Sequence, residues 1–195
     1  MGDSWDEYAE GWEEQAGVKD YAEQAFLSLQ AAVSLSPDHA VLDFGCGTGL
    51  LTEKIAPLVH SVVSIDASAK MIDVLTRKNI PNVSSEALFL SEATIAEKDI
   101  LHPKFDLIVA SSALAFVDDY EKIVTLLKSL LAPGGTLVQW DWLLSSGDTD
   151  GMGFTEERIR AAYNAAGLSV VSVSQPFGMP AGDSVMRVVM GVARL

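Results

Sequence analysis

Nine consecutive residues, Val41-Leu42-Asp43-Phe44-Gly45-Cys46-Gly47-Thr48-Gly49, join a short apolar run, a carboxylate and three alternating glycines. Such a stretch is a ligand cradle. Glycine lets the backbone turn sharply and lets a ligand approach it closely, and the start of a helix beyond the loop favours negative charge. The spacing is G-x-G-x-G. Dinucleotide-binding loops use G-x-G-x-x-G, whereas the residue three past Gly47 is Leu50. A second carboxylate, Asp66, closes the apolar run Val62-Val63-Ser64-Ile65. An acid at the end of a second strand accepts hydrogen bonds from both hydroxyls of a ribose. Loop and acid together specify an adenosine-type ligand.

The elements that must position these groups follow from periodicity and punctuation. Ser4-Trp5-Asp6-Glu7 predicts a capping box that opens a helix from Trp5, with Trp5, Tyr8 and Trp12 near one face. A second helix is expected over 18–34, striped by Tyr21, Ala25, Phe26, Leu29 and Val33. Then strands and helices alternate. Strands are expected at Ala40–Phe44, 62–65, 83–88, 105–110 and 136–140. Helices are expected over 50–58, 68–78 and 120–131, with 89–100 ambiguous and Pro133-Gly134-Gly135 a turn. Thr155 caps a helix to Ala166 that Gly167 stops, and two strands at 168–174 and 185–193 end the chain. This alternation predicts an α/β fold: a mostly parallel sheet with helices on both faces. Between the last two strands lies only a loop with Pro176, Gly178, Pro180 and Gly182, so the final strand should run antiparallel. One domain is expected over 1–195, divided into an N-terminal helical lid (1–36) and a core (37–195).

Composition removes several function classes. The chain has 195 residues, 49% hydrophobic and 21% charged, with 13 Lys and Arg against 27 Asp and Glu, a net charge of −14. With no basic run to displace phosphate counterions, nucleic acid and anionic membranes are disfavoured as partners, and a neutral or cationic small molecule is favoured. No apolar run is long enough for a membrane span. The acidic N-terminus has no secretory pattern, and Cys46 is the single cysteine. A cytoplasmic location is expected. Ala193-Arg194-Leu195 is read as the end of the last strand rather than as a peroxisomal address.

The strand ending in Asp43, the G-x-G-x-G loop, Asp66, Phe105-Asp106-Leu107-Ile108-Val109 and Leu131-Ala132-Pro133-Gly134-Gly135 together resemble class I methyltransferases that use S-adenosylmethionine. The likeness extends to the broad group that includes ubiquinone-biosynthesis-type enzymes, and it covers nearly the whole chain. It implies a Rossmann-like seven-stranded sheet in order 3-2-1-4-5-7-6 and S-adenosylmethionine as cofactor. It assigns Asp43, Gly45, Cys46, Gly47 and Thr48 to the methionine end, with Ser111 facing the same moiety. Asp66 falls to the ribose, and Ala67 and Met71 to the adenine surroundings. The adenine-edge contact falls near Leu88-Phe89, where many relatives carry an acid and this chain has none. Where many relatives carry a His pair after the fourth strand, Ala115-Phe116 stands instead. The likeness also favours a lid of Trp5, Tyr8 and Trp12 over the cofactor, and Lys19 and Tyr21 as candidates for the methionine carboxylate.

Other reactive side chains are assigned by position. Cys46 lacks a neighbouring His to activate it and is read as a small residue tolerated in the loop. His39, His60 and His102 precede the first, second and fourth strands, at the ends opposite the ligand; none is expected to act as a base, and no metal site is expected. Asp118 and Asp119 start a helix, where acids suit the dipole. That leaves Asp141, just past the fifth strand between Trp140 and Trp142, as the candidate general base of an acceptor site. The two tryptophans are expected to alternate in direction, so that one faces the pocket. The methyl acceptor would be a small molecule. Its identity and the oligomeric state are not encoded in any motif of the chain.

Overall fold

A computed structural model describes residues 5–145 and 152–195. Seven strands form one sheet in the order β3-β2-β1-β4-β5-β7-β6, as the family resemblance implied. β1 (Ala40–Phe44), β2 (Ser61–Asp66), β3 (Val83–Ala87), β4 (Phe105–Ser111) and β5 (Leu131–Trp142) pair in parallel. β7 (Ser184–Arg194) runs antiparallel to both β5 and β6 (Ser169–Ala181). The helices are α1 (Val18–Ala32), α2 (Leu50–Ile55), α3 (Ala69–Arg77), α4 (Glu92–Glu97), α5 (Tyr120–Leu130) and α6 (Glu156–Ala165).

Strand side chains alternate between the two faces, and each face has its own core. Val41, Leu107, Val109 and Trp140 meet Tyr21, Ala25 and Leu29 of α1 and Leu51 and Ile55 of α2. Leu42, Ile108 and Leu137 meet Leu127 and Leu130 of α5 and Ile159 and Tyr163 of α6. Covering both faces demands strands that are apolar throughout rather than alternating. Leu29 and Ile55 are fully buried, and burial of each contributes about 1.5–3 kcal/mol.

Several boundaries depart from the sequence reading. Ser4, the expected N-cap, lies outside the described residues. Trp5 and Asp6 are helical, but the chain then turns, and only a single 3-10 turn, Trp12–Glu14, follows Gly11. The expected helix over 50–58 is α2 plus a 3-10 turn at Ala56–Leu58, because Pro57 has no amide to continue the ladder. The ambiguous stretch contains α4, opened by a capping box of Ser91 and Thr94. Pro133-Gly134-Gly135 is a bulge within β5: pairing with β4 jumps from Phe105↔Leu131 to Leu107↔Thr136. The Pro/Gly loop expected between the last two strands is itself strand. β6 and β7 continue as one long hairpin until Ala181 pairs with Ser184. Pro176 sits at a register break on the edge strand, where a missing donor breaks no ladder. That extension brings the hairpin tip over the start of α1.

Candidate active site

A cavity of about 1070 Å³ opens at the carboxyl ends of β1, β2, β4 and β5. Ligands of open α/β sheets sit at those ends. Its volume is at the top of the range of about 300–1,000 Å³ for small-molecule sites, enough for a cofactor and a second molecule together.

The glycine loop is tied down by its own amides. Gly45 and Cys46 both donate to the Ile65 carbonyl, at 2.8 and 3.1 Å. Gly47 N–H donates to Asp66 Oδ2 at 2.9 Å, and Ser68 N–H to Oδ1 at 2.8 Å. Gly45 has φ 66°, and a Cβ there would lie 2.4 Å from Ala113 Cβ. Only glycine permits that approach of the β1 and β4 loops. Gly47 also has a left-handed φ, of 54°, but nothing lies within 4 Å of its missing Cβ, because it faces open cavity. Beside it, Thr48 lines the cavity, with its hydroxyl buried toward the Glu13 carboxylate. An open backbone cradle fits a polar ligand group laid along this loop.

The carboxylates here are perturbed by burial. Desolvation pushes Asp43 up to about 7, although Thr52 Oγ1 donates to it at 2.6 Å. Desolvation also raises Asp66, against the pull of its backbone donors. The Cys46 thiol is raised well above its usual range, first by burial and then by the charges of Asp43 and Asp66. A thiol so raised is protonated and a poor nucleophile.

Of the other expected cofactor residues, Trp12, Asp43, Ala67, Met71, Leu88 and Ser111 line the cavity with the loop. Tyr8 does not. It is 52% exposed and packs its ring on Trp5, centroids 6.0 Å apart. The chain's turn after Asp6 removes the helical face that was to have aimed it inward. Trp5 takes that place, with ring centroids 5.8 Å from Trp12 and 5.0 Å from Phe116 of the loop after β4. This N-terminal segment is fastened to α3. Ser68 Oγ donates to Asp6 at 2.5 Å, Arg77 pairs with Glu10 at 2.8 Å, and Lys78 pairs with Glu13 at 2.6 Å and with Glu53 at 2.8 Å. Lys19 is not among the lining residues; Tyr21 is. None of the three histidines lines it, in keeping with their positions before the strands.

Asp141 does not reach the cavity, and this corrects its assignment to the acceptor wall. It is 1% exposed, accepts from Ala115 N–H at 3.2 Å and Gln139 Nε2 at 3.0 Å, and Gln139 in turn accepts from Tyr120 Oη at 2.6 Å. Burial raises it to about 8. Parity explains the placement. Gln139 and Asp141 point toward α5, while Trp140 and Trp142, two residues apart, share the opposite face instead of alternating. Trp140 Nε1 donates to Ser28 Oγ at 2.9 Å, deep in the core. Trp142, at the strand's end, meets Tyr21 at 5.4 Å and is the tryptophan that lines the cavity. Asp141 therefore anchors the loop after β4 through the Ala115 amide. That loop carries Ser112 at φ 53°, whose N–H donates to the Trp140 carbonyl at 2.7 Å. Sequence reasoning missed Ser112, because no residue-type signal marks a serine in a left-handed conformation.

Among the described lining residues, Asp20, Asp43, Asp66, Asp118 and Asp119 face a single cation, Lys122. Asp119 also caps α5, accepting from Lys122 N–H at 3.0 Å.

A family model described as "Methyltransferase domain" matches residues 18–167. An uncharacterized methyltransferase of Schizosaccharomyces pombe is 34% identical over 116 residues, 56% of this chain and 40% of that protein. The ubiquinone biosynthesis O-methyltransferase of Xanthomonas campestris is 33% identical over 112 residues, 57% of this chain and 46% of that protein. The chain thus spans about half the length of the curated relatives it matches. The solved structure of a DhpI–SAH complex shares the fold at a TM-score of 0.74 with 21% identity, covering 98% of this chain and 93% of that one. Among the described residues, no helix is long and apolar enough to cross a membrane.

Proposed function

The chain belongs to the methyltransferase-domain family, and on that premise we propose that it moves a methyl group, in line, from S-adenosylmethionine to a small neutral or cationic molecule. One observation carries the reading: the G-x-G-x-G loop is locked to Asp66, while Gly47 faces open cavity. When bound, the cofactor supplies a methyl group already activated by a positive sulfur. No covalent enzyme intermediate is needed, so the lack of a Ser-His or Cys-His pair is consistent with the reaction.

The residues present divide the remaining work. The Gly45–Thr48 loop, with Trp12, Asp43 and Ser111, would hold the methionine end. Asp66 would offer the ribose hydroxyls the lone pairs left by its backbone donors. Ala67, Met71 and Leu88 would enclose the adenine. Trp5, Trp12 and Phe116 exclude water above the loop, and alignment in a dry site is the larger part of what such a transfer requires. The acceptor enters beside them, over the ends of β4 and β5. Binding of S-adenosylhomocysteine should raise Tm while NAD leaves it unchanged, and incubation with a metabolite extract and the cofactor should yield a product heavier by one methyl group. A Tm raised equally by NAD, or a bound cofactor with no methylated product from any extract, would sink the reading; the latter would leave a silent binding module.

A further inference from the structure

Opposite the glycine loop, the cavity ends under the β6–β7 hairpin. Its walls there are Trp142, Met179, Pro180 and Met186, with Tyr21 rising from α1. Tyr21 is 9% exposed, and its hydroxyl is buried with the Ser112 side chain as a hydrogen-bonding neighbour. Buried hydroxyls are hydrogen-bonded, and a ligand atom at this end can share that role with Ser112. Two aromatic neighbours hold the ring in place. Trp142 meets it edge-on at 5.4 Å and Phe177 at 5.3 Å.

We propose that Tyr21 is the specificity-determining residue of the acceptor end: its hydroxyl donates one hydrogen bond to a neutral oxygen or nitrogen on an otherwise apolar acceptor, and acceptors with a carboxylate or phosphate at that point are excluded. The proposal rests on reading the site as one of methyl transfer. Burial, with the nearby charge of Asp141, holds the phenol well above its usual range, so it stays a donor at any working pH. Among the described residues, none at this end answers an anion. The one cation among the described lining residues, Lys122, stands on α5 beside Asp118 and Asp119, and the positive start of α1 already has Asp20 in its first turn. Burying an anion costs more than one charge-assisted hydrogen bond returns. A neutral group meets no such penalty. The two methionines adapt to the shape of the apolar body.

The test uses protein saturated with S-adenosylhomocysteine and two probes of one shape, para-propylphenol and para-propylbenzoate, titrated by calorimetry. The phenol should bind at least about tenfold tighter than the benzoate. Tyr21→Phe keeps the ring and its packing; it should weaken the phenol about five- to tenfold and leave S-adenosylhomocysteine within twofold. Equal or tighter binding of the benzoate overturns the proposal, as does failure of both probes to bind. Parallel loss of S-adenosylhomocysteine in Tyr21→Phe would assign the hydroxyl to the cofactor instead. The wild-type phenol-to-benzoate ratio stands whether or not the variant folds. Wild-type protein that does not bind S-adenosylhomocysteine removes the methyl-transfer reading, and the proposal with it.

Discussion

At the β1 end of the cavity, the polar contacts come from backbone amides of one contiguous stretch, Gly45 to Gly47, reaching Ile65 and Asp66. At the β5 end, the walls are side chains from distant segments: Tyr21 from α1, Trp142 from β5, Met179 and Met186 from the hairpin. The first end has a fixed shape that any chain with the same glycines reproduces. The second depends on which side chains happen to meet there. Chemistry common to a whole family belongs on the first, and preference for one acceptor on the second. Side-chain substitutions should therefore move the two properties separately, while backbone-filling substitutions should damage the first end alone.

The largest expected effect tests the backbone end. Gly45→Ala drives a Cβ into Ala113 at a left-handed φ, and should destabilise the protein by about 2–4 kcal/mol and weaken S-adenosylhomocysteine over a hundredfold. Gly47→Ala has the same strain without the clash. It should lose only about 1 kcal/mol of stability yet still weaken the ligand more than tenfold, since the methyl fills the cradle. Calorimetric Tm and affinity measured on both variants decide it; equal destabilisation would mean that packing against Ala113 is irrelevant.

A comparable effect should appear in pH dependence. Asp43 and Asp141 have folded pKa values of about 7 and about 8, above the ordinary 3.8, both because of burial. The folded state then holds more protons than the unfolded one between those limits. The contribution of these two groups is complete below about pH 4 and is lost as pH rises toward 8, by several kcal/mol. Asp141→Asn, neutral at every pH, should flatten roughly half of that slope in urea unfolding from pH 5 to 8. An unchanged slope would show that Asp141 stays charged and the loop after β4 is held otherwise. Next, Asp66→Ala should weaken S-adenosylhomocysteine by about 1.5–3 kcal/mol while leaving phenol binding under the hairpin intact; a coupled loss would join the two ends. The smallest effects lie in the strap over the loop. Lys78 is 16% exposed and joins Glu13 to Glu53, whereas the Arg77–Glu10 pair is 59% and 80% exposed. Lys78→Ala should speed release of S-adenosylhomocysteine about two- to fivefold, and Arg77→Ala should change nothing measurable.

The same contrast explains what could be read in the sequence. β1, its glycine loop and Asp66 were legible because a local backbone path needs glycines and an acid at fixed spacing. The strand order followed from family likeness, and the antiparallel β7 from the missing crossover helix. Tyr8 and Asp141 were misplaced for non-local reasons. Tyr8 depended on a helix that turns aside after Asp6. Asp141 lay at the right height on the right strand, but strand parity turned it toward α5 and Gln139. The hairpin roof was invisible because prolines and glycines at 176–182 signal a loop, and only an edge position lets strand persist through them.

The position of β7 constrains how the molecule is assembled. It follows β6 in sequence yet lies between β6 and β5, so β6 has no place on the sheet until β7 has filled the gap. The two strands are joined by a tight turn at Gly182-Asp183, and closing so short a loop is fast compared with pairing distant strands. A preformed hairpin should therefore dock as a unit onto an already paired β1–β5, late in folding. In pulse-labelled hydrogen exchange, amides of β6 and β7 should gain protection together and after those of β1 and β4; protection of β7 ahead of β6 would refute that order. The hairpin that roofs the acceptor end would then be the last part of the cavity to exist.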